Sequence, residues 1–100
     1  MIKVHIEYNT SDRNSLDKSY PETCRSIKKY FNDIIRNNFG DIIVDSIVTY
    51  NNYNYVFSVY MLLDTDKQFE IIARTSLEFI SIEGYGELSQ INFSTLRVGE

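Results

Sequence analysis

The stretch YPETCRSIKKYFNDIIRNNF, Tyr20 to Phe39, constrains this chain more than any other. Its apolar residues Cys24, Ile27, Phe31, Ile34 and Ile35 recur in steps of three, four, three and one. A 3.6-residue period gathers such steps onto one side of a helix. Ser19 and Glu22 have capping-box spacing, so each can satisfy the other's free amide. Pro21 falls in the first turn, where a missing amide hydrogen costs nothing. Gly40 follows Phe39 and can take the left-handed conformation that closes a helix. Everything around this segment reads as strand, so a single helix serves the chain.

Ile2, Val4, Ile6 and Tyr8 alternate with Lys3, His5 and Glu7, the pattern of a half-buried strand. Asn9 to Lys18 is polar and rich in turn formers, a loop leading into the helix. In IIVDSIVTY, Ile42, Val44, Val48 and Tyr50 share one parity with Ser46 between them. The segment NNYN then favours a hairpin, because asparagine tolerates positive φ. YVFSVYMLL, Tyr55 to Leu63, is apolar on both parities. That describes a central strand covered on both faces, or one whose second face a partner covers, as in a homodimer.

Asp64 to Lys67 reads as a turn. From Gln68 to Arg74, Phe69, Ile71 and Ala73 alternate with Glu70 and Arg74, Ile72 being the exception. This predicts either two strands with a tight connection or, since no Gly, Pro or Asn marks a turn, one strand bent by a bulge near Thr75 and Ser76 that continues to Glu83. A turn at Gly84 to Glu87 leads to a last strand, Leu88 to Val98, with Ile91 and Phe93 inward and an irregularity at Ser94 and Thr95.

The expected fold is α+β, one domain over residues 1–100. A single helix packs on a curved antiparallel sheet of five or six strands in the order β-α-β-β-β-β, joined as a meander after the first crossover. This order resembles the cystatin-like layout over nearly the full chain, in topology alone. The inhibitory hairpin of true cystatins carries Gln-x-Val-x-Gly. The corresponding segment here is TYNNYNYV, so the resemblance does not imply protease inhibition, and the fold by itself carries little function.

One cysteine permits no internal disulfide, and no Cys/His spacing resembles a zinc site. No apolar run approaches the ~18–20 residues needed to span a bilayer, and MIKVHIEYN alternates too early for a signal peptide. The expectation is a cytoplasmic protein without cofactor. The net charge of −4 argues against nonspecific nucleic-acid binding. Within Tyr20–Phe39, however, four cations (Arg25, Lys28, Lys29, Arg36) outnumber two acids (Glu22, Asp33), so the helix is the basic element of an acidic chain. Thirteen Ile, nine Asn and eight Tyr against one Ala and four Gly suggest an AT-rich genome, such as a low-GC bacterium, its phages or its mobile elements.

No residue pattern announces catalysis. His5 lacks an acidic or nucleophilic partner at a readable spacing, and the helix's apolar side holds Cys24. Asp64 with Asp66, and Glu83 with Glu87, sit in turns that use such residues for their own geometry. DTDKQFE does not supply the alternating ligands of a calcium loop. Glycine-rich phosphate loops, nucleophile elbows and metalloprotease helices are absent from the sequence.

Two features point to binding. Arg25, Lys29 and Arg36 fall within about 40° of one another on the helix's solvent side, a stripe suited to acidic protein surface or phosphate. Tyr50, Tyr53 and Tyr55 interleave with Asn51, Asn52 and Asn54 at a hairpin tip, the mixture of stiff aromatic surface and adaptable hydrogen bonds that paratopes use. The sequence therefore suggests a small non-enzymatic module that docks on another protein. With the inferred source, it suggests a phage or mobile-element inhibitor of a host nuclease, of anti-CRISPR or anti-restriction type. The alternatives are a ligand-binding or catalytic pocket between helix and sheet, holding Glu70, Arg74 or a tyrosine hydroxyl, and a nucleic-acid-binding accessory protein using the basic stripe.

Overall fold

A computed structural model describes residues 1–10, 20–40, 45–51, 53, 55–76, 78–82 and 86–98. The elements are β1 (Ile2–Thr10), α1 (Tyr20–Phe39), β2 (Asp45–Asn51), β3 (Val56–Leu63), α2 (Asp66–Thr75), β4 (Phe79–Ile82) and β5 (Gly86–Arg97). The class is α+β, one long and one short helix on a five-stranded antiparallel sheet. Ser19, the loop at 11–19, Ile42, Val44 and the turn residues Glu83 to Tyr85 lie outside the described residues.

Helix α1 covers the span that its periodicity predicts. Ile27, Phe31 and Ile35 are fully buried. They meet Ile2, Val4, Ile6 and Tyr8 of β1 and Phe57, Val59, Met61 and Leu63 of β3 in one core. Gly40 ends the helix at φ +82, its amide donating to the Arg36 carbonyl at 2.8 Å.

Residues 66–75 form a helix where alternation predicts a strand. Thr65 is extended, and its hydroxyl accepts from the Gln68 amide at 3.2 Å. The Gln68 side-chain carbonyl accepts from the Asp64 amide at 2.8 Å, so one turn-like sequence is in fact an N-cap. Ile72, the misfit of the strand pattern, is the fully buried centre of the helix. Gln68, Ile72 and Ser76, spaced by four, are buried while Glu70 and Arg74 between them are exposed, which a helical period explains and the alternation of a strand does not. The predicted bent strand is thus α2 followed by the short β4.

The sheet order is β2-β3-β1-β5-β4, with every described pairing antiparallel. The strands do not lie side by side in chain order, as a meander would. β1 occupies the centre, flanked by β3 and β5, and α2 carries the chain from one half of the sheet to the other. The register of β1 on β5 shifts between Glu7 and Tyr8, since Glu7 faces Asn92 and Tyr8 faces Gln90. The irregularity therefore falls at Ile91 rather than at Ser94 and Thr95. It turns Ile91 outward, 54% exposed, while Phe93 stays half-buried beside Phe69 of α2.

Candidate functional site

The two helices and the core occupy one side of the sheet. Strand parity then sends the alternate residues of β1, β2, β3 and β5 to the other side. Register places them in rows. Asp45, Leu62, Lys3 and Leu96 form one row across β2, β3, β1 and β5, and Ile47, Tyr60, His5 and Ser94 form the next. Ile47 is 64% and Leu96 61% exposed. His5 stacks on Tyr60 with ring centroids 4.4 Å apart, and its Nε2 lies 4.0 Å from a Glu7 carboxylate oxygen. The rows line an open trough of about 680 Å³. The sequence holds a trace of this surface in the doubly apolar YVFSVYMLL, whose second parity supplies Tyr60 and Leu62. Ile47 and Leu96 could be added only once the register was known.

The β2–β3 hairpin tip separates its residues sharply. Tyr50 packs its ring on Phe57, centroids 4.5 Å apart, and is half-buried against the core. Tyr55 is also half-buried and holds φ +58, unusual for a residue with a side chain. Tyr53 is 94% exposed, and its amide donates to the Asn51 side-chain carbonyl at 2.9 Å in an Asx-type turn. Asn51 is exposed too. Asn52 and Asn54 lie outside the described residues.

On α1, Arg25, Lys28, Lys29 and Arg36 are all exposed. Lys29 Nζ lies 3.1 Å from one Asp33 carboxylate oxygen, and Arg36 Nη1 lies 3.7 Å from the other. Asp33 therefore sits inside the stripe and offsets part of its charge. Beside it, Ser26, Lys29, Tyr30 and Asp33 of α1 face Ser81 and Ile82 of β4 across a second, smaller hollow of about 370 Å³.

Among the described residues, titratable groups elsewhere do not converge. Burial pushes the Cys24 thiol above its ordinary value, which lowers the fraction of reactive thiolate. Burial likewise raises the Tyr30 phenol, and raises Tyr8 far more, Gln90 countering part of that effect. Glu70 and Arg74 lie 4.0 Å apart on the solvent side of α2. Asp66 meets Arg97 at 3.0 Å. Among the described residues no cluster of three histidine, cysteine or acidic side chains could hold a metal, and no described helix is long and apolar enough to cross a membrane. Comparison with protein families, with characterised proteins and with solved structures finds no match for this chain.

Proposed function

We propose that this chain is a small non-enzymatic binding module that docks on another protein through the β2–β3 hairpin tip. The observation that supports the reading is Tyr53, a phenol ring almost wholly in solvent on a stem anchored in the core. Asn51 braces the turn, and Tyr50, Phe57 and Val59 fix the ribbon behind it. A ring presented this way adds contact area at small entropic cost. Tyr55 fits the same picture. A left-handed tyrosine costs on the order of 1 kcal/mol, which a hairpin of no fixed purpose could shed by using glycine or asparagine.

Arg25, Lys29 and Arg36 offer a secondary contact for an acidic partner surface, reduced by Asp33. The pocket alternative has less support. Ile27, Phe31 and Ile35 fill the space beneath α1, and Glu70 pairs with Arg74 in solvent instead of lining a cleft. A host defence nuclease as the target, and the cytoplasm as the setting, are supported by size, composition and the lone free cysteine alone.

The test is a photo-crosslinking amino acid at position 53, with wild type, Tyr53→Ala and Glu70→Ala baits in lysate from a low-GC bacterium. One protein crosslinked from position 53, retained by Glu70→Ala and reduced at least about tenfold by Tyr53→Ala, is the expected outcome. Equal capture by all three baits would overturn the hairpin reading.

A further inference from the structure

We propose that the outer sheet face is the interface of a two-fold symmetric homodimer, in which Lys3 of each copy faces Asp45 of the other. Three observations lead there. The face carries exposed apolar side chains at Ile47 and Leu96, with Tyr60 and Leu62 between them. Exposed apolar patches of this kind mark contact surfaces. The charges of the end row are placed antisymmetrically, since Asp45 on β2 and Lys3 on β1 flank Leu62 on β3. Finally, both lie on the same face and line the same trough.

That antisymmetry selects the second copy as occupant. Neighbouring strands are about 4.8 Å apart, so a two-fold axis running along β3 lays β1 of one copy over β2 of the other. Opposite charges then meet twice per dimer, because an isologous contact repeats every pair. Leu62 and Tyr60 fall on their own counterparts, and Ile47 falls over the His5 ring of the other copy. Sheets packed in this way sit about 10 Å apart and roughly aligned. A foreign partner could match the apolar surface equally well, but nothing would then require the two charges to be related by the sheet's own geometry.

Size sets the strength. About this axis three strands of each copy overlap, β2, β3 and β1, while β5 with Leu96 extends past the edge strand β2 of the other copy, and the area stays below the ~800 Å² per partner of a standard interface. The dimer is accordingly weak, with a dissociation constant on the order of 10–100 μM.

Sedimentation equilibrium of the full chain tests the proposal, with far-ultraviolet circular dichroism confirming that each variant is folded. Wild type at about 500 μM should approach twice the 11.7 kDa of the chain and should return to monomer near 1 μM. Lys3→Asp or Asp45→Lys alone should weaken association about tenfold or more, because like charges then meet twice. Mixed in equal amounts, these two variants should associate as wild type does, because every contact in the mixed dimer is again between opposite charges. The double variant Lys3→Asp/Asp45→Lys should recover as well. A monomer at about 500 μM would leave the face to a foreign partner and overturn the proposal. So would a dimer indifferent to the single reversals, or single variants that fail to recover on mixing.

Discussion

His5 lies flat on Tyr60 across β1 and β3, with ring planes 7° from parallel and centroids 4.4 Å apart. Directly opposed positions on adjacent antiparallel strands bring two rings this close, and the register provides such a pair here. The outer face is thus organised by contacts within the chain as well as left open to solvent. A double-mutant cycle of His5→Ala and Tyr60→Ala, read by urea unfolding of dilute monomer, should give a coupling of about 0.5–1 kcal/mol. The low end of the aromatic range applies because both rings remain partly in water. Strictly additive single effects would mean the stack contributes nothing.

Helix α2 depends on its first turn. Thr65→Ala removes the acceptor for the Gln68 amide and should cost about 1 kcal/mol, while Thr65→Ser should cost little. Hydrogen exchange of amides in Asp66–Thr75 would localise the effect. Loss spread evenly over β1 and α1 would contradict a local cap.

Tyr8 makes stability fall at high pH. Burial holds its phenol well above the ordinary value of 10.0 in the folded chain. Its contribution is fully present below the unfolded pKa and is lost as pH rises above it, because the unfolded phenol ionises first. Urea midpoints should therefore decline above about pH 10, and Tyr8→Phe should flatten the decline. An unchanged slope in that variant would exclude Tyr8 as the cause.

The long helix was readable because Ile27, Phe31 and Ile35 repeat at its period, and β1 because it alternates cleanly. The second helix was hidden in a short segment where both periods fit. Phe69, Ile71 and Ala73 satisfy a strand, and only the cap formed by Thr65 with Gln68, together with the misfit Ile72, favours the helix. The position of β1 at the centre of the sheet was equally illegible, since pairing of residues 85 apart, such as Glu7 with Asn92, leaves no local mark. The hairpin tip was legible as a turn. Which of its tyrosines reaches solvent was decided by packing, with Tyr50 drawn onto Phe57 and Tyr53 left outside.

A first strand at the centre of its sheet must wait for the last one. During synthesis β1, α1, β2 and β3 can assemble early, but the flank of β1 that will meet β5 stays bare until β5 has left the ribosome. For that interval the nascent chain offers an open backbone ladder beside Ile6 and Tyr8, both fully buried once the sheet is closed. The order of its strands makes closure a late and slow event, and puts the hazard of misassociation before β5 pairs rather than after it.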